Sequence, residues 1–509
     1  MADNNQGLDS NQSVSSGLEQ WQFNRIAERG FDDPLNSYAH TMAWFKDRLY
    51  VGTMRAVLCL LNAKMNIAMD VWPVRVVENV YDLDLRSHIW SFEPQEQKWR
   101  QVHIAPLNTG PDGQQVPREI SYRGMTVFQG PEDPEPALYV TTWSPSKSIG
   151  PLILRSYDGE EFVPVSEPGL GDPTVSAFRS LIALNGRLYT APTGRPGDKP
   201  NVPDNPVILE SCGSVNGSWR EVCRPGFGDR YNLTVFEMIP FNDYLYAGTL
   251  NAAEGYQVWK TRCEGTPPYR WTKVISQGAY RGAQNETAVS MFVFKDALYV
   301  GSGIQNGGYD RTHDVGPAAA ELIRIHPDDS WDLIVGEPRM TPDGKKRPLS
   351  NFEPGFNNFF NGYFWRMAEY DGHLYLGTFN WSVFMPYLQP LRKTIKDKIL
   401  RFYGLENLIK FFGGFDLFRS PDGVHWSPVS TTGFGNPYNY GARTMVGTPK
   451  GLFIGTGNPF GPEVAVKTPL GWQYMPNPRG GAEVWLGSNK KWSEAHTDLQ
   501  LKYELEKQS

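Results

Sequence analysis

One motif recurs seven times along the chain and constrains the fold more than any other feature. In each copy an apolar residue precedes an aromatic one: Leu49-Tyr50, Leu138-Tyr139, Leu188-Tyr189, Leu245-Tyr246, Leu298-Tyr299, Leu374-Tyr375 and Leu452-Phe453. In six copies an apolar residue, which we call the anchor, stands seven positions before the pair: Met42, Leu181, Met238, Met291, Met367 and Met445. In the remaining copy Met125 is the anchor, and a short insertion separates it from the pair. Turn pairs such as "NG" at 185–186 lie between anchor and motif, so each segment predicts a β-hairpin.

A second hairpin follows in most copies, as in "RSYDGEEFVPV" at 155 and "RSPDGVHWSPV" at 419. A glycine turn comes next, usually Gly-Phe, with "GLG" at 169. Four strands and a glycine turn, repeated seven times, predict an all-β, seven-bladed β-propeller with four-stranded antiparallel blades. The second hairpins resemble the Asp-box repeat of sialidase-like propellers, which implies that Asp158 and Asp422 are turn residues.

The repeats also set the expected boundaries. Blades begin near residues 38, 121, 176, 233, 287, 362 and 440. The N-terminal "WQFNRIAERGFDD" matches the end of a repeat, so we expect it to add a strand that closes the last blade. The domain prediction is a disordered tail over 1–20, a single propeller over 21–495 and a C-terminal tail over 496–509.

Composition limits the partners and the compartment. The net charge of −6 argues against nucleic acid as a partner. The polar N-terminus lacks a signal core, and no apolar run is long enough to span a bilayer, so we expect a cytoplasmic protein. No residue pattern implies a cofactor or a metal, although structural calcium stays open, and the sequence leaves the oligomeric state undetermined.

The residue two positions before each anchor is the main functional candidate, because the first strand of a propeller blade lines the channel. These residues are His40, Arg123, Arg179, Phe236, Val289, Trp365 and Arg443, with Glu237 and Arg366 one position later. Cationic residues fall on adjacent blades and apolar ones on the others. Arginine presents a planar fork suited to carboxylate or phosphate, so the pattern predicts an anion pocket. The alternative is ion pairing between blades and acidic loop residues.

Loops at the same mouth offer further candidates. Arg55 follows "YVGT" in the first blade and is a candidate for substrate binding. His313 beside Asp310 forms a possible acid–base pair, against the alternative of a solvated loop. Tyr440, with neighbouring tyrosines at equivalent entrances, is a candidate hydrogen-bond donor or acid–base group. The alternative for the tyrosines is aromatic packing.

Residues 383–412 form a long insertion in the sixth blade. Leu388, Leu391, Ile395, Ile399 and Phe402 recur at helical spacing, which predicts an amphipathic helix, followed by a second one after Gly404. We interpret the insertion as a lid over the mouth. Contact with a membrane surface and packing on the rim are the alternatives.

Two resemblances bear on function. "AFRSL" at 177 is similar to the Phe-Arg-Ile-Pro start of sialidases, which implies that Arg179 binds a carboxylate, with Tyr440 and Glu237 as nominees for a nucleophile and its partner. The architecture also resembles the propeller alkylating enzymes of cylindrocyclophane biosynthesis, which implies arginine, carboxylate and tyrosine at a channel mouth.

Three functions remain open from the sequence. The first is an enzyme acting on a small amphiphilic molecule that carries an anionic or leaving group, with alkylation-type chemistry in specialised metabolism. The second is a sialidase-like glycan hydrolase or lyase. The third is a non-catalytic propeller that binds a protein or lipid partner.

Overall fold

The computed structural model of the protein describes residues 16–64, 69–194, 201–212, 218–388 and 404–489. Nearly all of the regular structure in these ranges is β, which confirms the predicted all-β character. The predicted tails over 1–15 and 496–509 lie outside the described residues. Gly17 and Leu18, expected in the N-terminal tail, are buried, and the Leu18 N–H donates to the Tyr375 hydroxyl at 2.7 Å.

Antiparallel strands pair in successive groups along the chain, which we call units. The first unit comprises Asn36–Phe45, Arg48–Arg55, His88–Glu93 and Lys98–Ile104. The second comprises Ser121–Phe128, Ala137–Trp143, Ile153–Ser156 and Val163–Pro164. The third comprises Ala177–Leu184, Arg187–Thr193, Leu209–Ser211 and Trp219–Glu221.

The remaining units repeat this order. The fourth comprises Thr234–Phe241, Tyr244–Leu250, Val258–Thr261 and Thr272–Ile275. The fifth comprises Thr287–Phe294, Ala297–Gly303, Leu322–Ile325 and Trp331–Val335. The sixth comprises Asn361–Tyr370, His373–Asn380, Leu417–Ser420 and Ser427–Ser430.

The last unit combines both ends of the chain. Gly441–Thr448, Gly451–Gly457 and Val484–Gly487 pair in that order. Phe23–Ala27 then pairs antiparallel with Val484–Gly487, as the match between the N-terminal segment and the repeat predicts. This pairing covers an edge that would otherwise expose unpaired backbone groups.

Neighbouring units are joined where the first strand of one begins beside the end of the second strand of another. At six junctions a single β-bridge makes this contact: Tyr38 with Gly457, Met54 with Ser121, Trp143 with Ala177, Leu250 with Thr287, Gly303 with Tyr363, and Phe379 with Gly441. The strand pairings of the described residues include no bridge between the third and fourth units. The result is a propeller-like β fold.

Glycine lets the units approach closely at these junctions. Gly248 and Gly455 occupy equivalent places in second strands, within "YAGT" and "FIGT". A Cβ atom added at Gly248 would lie 2.6 Å from the Cβ of Ala288, and one at Gly455 equally close to the Cβ of Ala39. Packing between units therefore requires glycine at these two positions, two residues after the Leu-aromatic pair.

Shorter elements decorate the sheets. Three two-stranded hairpins pair Leu107–Thr109 with Gln115–Pro117, Arg339–Thr341 with Gly344–Lys346, and Glu463–Thr468 with Gly471–Pro476. Helical segments are Val57–Lys64, Gln277–Tyr280, Gln305–Gly308 and Leu405–Phe412. Short 3₁₀ turns span Gln20–Gln22, Val80–Asp82, Pro168–Gly171, Pro225–Gly228, Gly282–Asn285, Pro354–Phe356 and Ser382–Phe384. None of the helices in the described ranges is both long and apolar enough to cross a bilayer.

Candidate functional site

The first strand of every unit contains a β-bulge on the residue two positions before the anchor, and the first strands of the first and sixth units have a second irregularity nearer their starts. The residues in the bulges are His40, Arg123, Arg179, Phe236, Val289, Trp365 and Arg443, with Ser180 sharing the third bulge. A bulge leaves one residue out of the alternating ladder and redirects its side chain. The repeated bulge therefore explains why this one position differs in character from the regular strand residues around it.

The arginines at these positions share one electrostatic environment. Arg123 and Arg443 are 7% and 5% exposed. Burial lowers the pKa of Arg123 to about 9, with the charges of Arg443 and Arg366 as further causes. Burial also holds the pKa values of Arg179 and Arg443 well below the usual range, and Arg366 contributes to both shifts. The four guanidinium groups are thus close enough to repel one another.

His40 lies among the same four arginines. Burial, followed by the charges of Arg443, Arg123, Arg366 and Arg179, lowers its pKa well below the ordinary value. Its Nδ1 is hydrogen-bonded to the hydroxyl of Ser121 at the start of the second unit. His40 is therefore a neutral imidazole at physiological pH and adds no charge to the cluster.

Aromatic rings cover three of the guanidinium groups. The Cζ of Arg123 lies 4.9 Å from the ring centroid of Trp143, and that of Arg443 lies 5.2 Å from the ring of Trp365. Arg179 lies over the ring of Phe236 at 3.3 Å. An aromatic face attracts a guanidinium and fixes its orientation without neutralising its charge.

Protein partners neutralise only part of this cluster. Arg366 Nη1 donates to Glu237 Oε2 at 2.9 Å, in an ion pair between the sixth and fourth units. Arg179 donates from Nε to the carbonyl oxygen of Phe236 at 2.8 Å and from Nη1 to Asn201 at 3.1 Å.

Two N–H groups of the cluster have no such partner. The Nη1 atoms of Arg123 and Arg443 are buried, and no acceptor for them lies within the described part of the chain. An unpaired buried charge costs several kcal/mol, and arginine does not relieve this by losing its proton. Among the described residues, the cluster therefore carries more positive than negative charge.

The tyrosines at the mouth bond to each other rather than to an acid. The hydroxyl groups of Tyr38 and Tyr440 are hydrogen-bonded, and burial raises the pKa of both. The nominated partner of Tyr440, Glu237, is instead bound to Arg366. The described contacts thus do not form the nucleophile pair that the sialidase resemblance implied, because Tyr440 and Glu237 face different partners.

Arg55 belongs to a structural interaction and not to the arginine cluster. It is 2% exposed and forms an ion pair with Asp33 at 2.7 Å, while Nε donates to the Asp84 carbonyl at 2.7 Å. Its Nη1 donates to Asn36 Oδ1 at 3.1 Å. All of these acceptors come from the protein itself, which leaves the guanidinium satisfied without a ligand.

The repeat explains this placement of Arg55. An asparagine before or at the start of a first strand donates to the carbonyl of the preceding glycine turn: Asn36 to Gly30, Asn232 to Gly226, Asn285 to Gly278, Asn361 to Gly355 and Asn439 to Gly433. In three units a second asparagine, nineteen residues later, donates to the first: Asn251, Asn380 and Asn458. Arg55 stands nineteen residues after Asn36 and makes the same contact in the first unit.

Asp310 and His313 do form the predicted contact, and a third residue joins them. His313 Nδ1 lies 2.6 Å from Asp310 Oδ2, and Gln305 donates to the same oxygen at 3.0 Å. Burial, reinforced by the hydrogen bond and the charge of Asp310, raises the pKa of Glu286 to about 9, which favours the protonated form of Glu286 at neutral pH. Ligand atoms of Glu286, Asp310 and His313 lie within 4.8 Å of one another, and a divalent cation accepts these donor types.

Insertions cover the entrance near Tyr38 and Tyr440 with apolar side chains. We call residues 57–64 and 69–74, residues 381–388 and Glu463–Pro476 the cap. Backbone bridges join Met69 to Leu388 and Val74 to Val464, and the Tyr387 hydroxyl donates to the Ala465 carbonyl at 3.1 Å. The apolar cluster of the cap continues through Tyr440 to Trp365 and Trp143.

The predicted lid is therefore one part of a larger covering. Its first helix falls on residues 389–403, outside the described residues, whereas the second helix is present as Leu405–Phe412. Ser382 donates to the carbonyl of Phe412 at 2.7 Å, which holds the ends of the insertion together. No sequence pattern predicted the other two parts of the cap. The long gap between the second and third strands of the first unit, Arg48–Arg55 and His88–Glu93, does indicate an insertion between these strands.

Sequence comparison gives no relative. No protein-family model matches the chain, and no curated protein matches it. Among solved structures, a puromycin-hydrolyzing peptidase of Mycobacterium tuberculosis matches over 88% of this chain at 10% identity, with a TM-score of 0.44, and the match spans 54% of that chain.

Two further structures show similar levels of resemblance. The structure of U3-55K matches over 93% of this chain and 100% of its own, at 10% identity and a TM-score of 0.43. An α-L-arabinofuranosidase from Clostridium thermocellum matches over 62% of this chain and 93% of its own, at 10% identity and a TM-score of 0.27. The site must therefore be understood from its own geometry.

Proposed function

We propose that the seven units are blades of a closed ring and that its channel binds a small amphiphilic anion. The observation that carries the proposal is the pair of buried, unpartnered Nη1 atoms of Arg123 and Arg443. No β-bridge joins the third and fourth units in the described residues, but the hydrogen bond from Arg179 in the third unit to the carbonyl of Phe236 in the fourth connects them.

Charge balance favours a bound anion. Arg123, Arg179, Arg366 and Arg443 bring four positive charges, and Glu237 is the acid whose charge raises the pKa values of three of them. An anion would supply acceptors for the free N–H groups and remove the mutual repulsion of the arginines. The alternative weighed from the sequence, ion pairing between blades, accounts for Arg366 alone.

The ligand has an apolar part in this proposal. Phe236 and Trp365 occupy bulge positions on the fourth and sixth units, and Tyr38 and Tyr440 lie toward the cap. Trp365 retains partial exposure, which indicates a space of at least water size beside its ring. A molecule with an anionic group and an apolar group would match the two chemical halves of the channel.

Binding is favoured over tyrosine-based catalysis. Both the alkylation and the sialidase hypotheses use a tyrosine that gives up its proton. Burial raises the pKa values of Tyr38 and Tyr440, which opposes formation of a phenolate. Their hydroxyl groups are bonded to each other and have no carboxylate base within the described contacts.

Calorimetric titration of the dialysed protein tests the proposal. The probes are sulfate, benzoate and phenyl phosphate, and we expect at least one to bind with a stoichiometry of one. Arg123→Met and Arg443→Met each remove a charge-assisted hydrogen bond worth about 1.5 to 3 kcal/mol, so each should weaken binding about tenfold to a hundredfold.

Arg230→Gln provides the matched control, because Arg230 is a surface arginine that contacts Tyr231. Its affinity for the same probe should equal that of the wild type. Equal weakening by Arg230→Gln would indicate general electrostatic attraction, and no binding of any probe to the wild type would refute the anion site.

A further inference from the structure

We infer that the anion bound in the channel carries two negative charges on one tetrahedral group, as in a phosphate monoester. This inference rests on the proposed function and specifies its ligand class. The inference follows from how many of the arginine charges the protein already neutralises, and from the positions of Arg123 and Arg443 on separate units.

The four arginines of the cluster differ in whether the protein neutralises their charge. Arg366 is neutralised by Glu237 at 2.9 Å. Arg179 remains charged, but it already donates to Phe236 and Asn201. The free donors belong to Arg123 and Arg443, which are two further buried cations without a counter-charge among the described residues.

Neighbouring groups do not change this count. His40, which lies among the arginines, is held neutral by burial and by their charges. Ser121, its hydrogen-bond partner, is uncharged, as are the rings of Trp143 and Trp365 that cover the guanidinium faces. Three guanidinium charges, those of Arg123, Arg179 and Arg443, therefore remain after the pairing of Arg366, and only Arg123 and Arg443 keep a buried N–H group without an acceptor among the described residues. A dianion would balance the charges of these two arginines, whereas a monoanion would leave one of them uncompensated beside the charge of Arg179.

Geometry selects a tetrahedral group over a single carboxylate. Arg123 lies in the second unit and Arg443 in the seventh, with the first unit, which carries His40, between them. The two guanidinium groups therefore come from units that are not adjacent. Oxygen atoms of a phosphate point in several directions and can accept from both, while a planar carboxylate pairs best with one arginine edge-on.

Two ligands of nearly equal shape test the charge. Phenyl phosphate is a dianion at pH 8 and methyl phenyl phosphate, its diester, is a monoanion. We expect calorimetry at pH 8 to show at least tenfold tighter binding of the monoester by the wild-type protein. Arg443→Met should bind both ligands weakly and lose most of this preference, because Arg123 is then the one arginine of the cluster that keeps a buried N–H group without an acceptor among the described residues.

Glu237→Gln serves as a second variant with the opposite expected effect. Removal of the carboxylate that neutralises Arg366 should strengthen the binding of both ligands, and it should keep or increase the preference for the monoester. Vesicles that contain phosphatidate form a separate arm, because a lipid headgroup offers the same phosphate monoester as a soluble molecule. Preference for soluble phenyl phosphate or for these vesicles supports the dianion in either case and identifies its source.

The outcomes separate this inference from the proposed function. Equal affinity for the monoester and the diester in the wild-type protein would overturn the dianion and leave an anion site in place. Tighter binding of benzoate than of phenyl phosphate would do the same. Failure of every anion to bind would overturn both.

Discussion

Replacement of Arg123 by methionine should stabilise the ligand-free protein, although it removes a large buried side chain. Burial and the other arginines lower the pKa of Arg123 from 12.5 to about 9. At 1.36 kcal/mol for each pKa unit, the charged form is disfavoured by on the order of 5 kcal/mol. Loss of the contact with the Trp143 ring offsets about 2 kcal/mol of that. The expected net gain in the free energy of unfolding is about 2 to 3 kcal/mol.

Arg55→Met is the matched comparison, because Arg55 is also buried but is fully paired. Its loss leaves Asp33, Asn36 and the Asp84 carbonyl without their donor. Since Asp33 is partly solvated, we expect a destabilisation of about 2 to 4 kcal/mol, toward the lower end of the range for a broken buried ion pair. The two substitutions are chemically identical and should have opposite signs.

Urea unfolding followed by tryptophan fluorescence, in dialysed protein at pH 8, provides the measurement. Addition of sulfate should then raise the midpoint of the wild type more than that of Arg123→Met. The reasoning is refuted if Arg123→Met lowers the midpoint as far as Arg55→Met does, because Arg123 would then have a partner equivalent to Asp33.

Three further predictions follow from buried polar groups. Burial raises the pKa of Asp416 to about 6. The protonated carboxyl therefore contributes to stability below about pH 4, and this contribution is lost as the pH rises to about 6. Asp416→Asn should remove this part of the dependence of stability on pH. His40 has a pKa well below 6.5 in the folded protein, so unfolding takes up a proton and stability falls as the pH drops below 6.5; His40→Asn should reduce that slope. Asn361→Ala removes the donor to the Gly355 carbonyl and to Asp416, at 2.9 and 2.6 Å, and should lower the free energy of unfolding by about 2 to 3 kcal/mol in thermal melts, while a change below about 0.5 kcal/mol would contradict this account of the repeat.

The sequence by itself determined the repeated unit and the position of its candidate residue, two places before the anchor. Hairpins depend on alternating apolar residues and turn pairs that lie within about fifteen residues of one another, so they can be predicted from local sequence. The predicted starts at 38, 121, 176, 233, 287, 362 and 440 lie within two residues of the first strands observed. The residue two positions before the anchor was recognisable because seven copies could be compared.

Only the tertiary structure decided which of these residues have partners. Arg55 and Arg123 look equivalent in the sequence as basic residues predicted near the mouth. Asp33 neutralises Arg55, whereas Arg123 has no counter-charge in the ranges that the structure describes. The partner of Arg366 is 129 residues away in the chain. No local pattern encodes which unit lies opposite which.

The bulge and the cap were likewise decided by the fold. A bulge depends on two strands pairing out of step, which a sequence of alternating residues does not specify by itself. The cap joins segments near residues 72, 387 and 465 because all three leave the sheets at the same entrance. Periodicity determined where each strand lies, whereas long-range packing determined which buried charges have a partner within the described part of the protein.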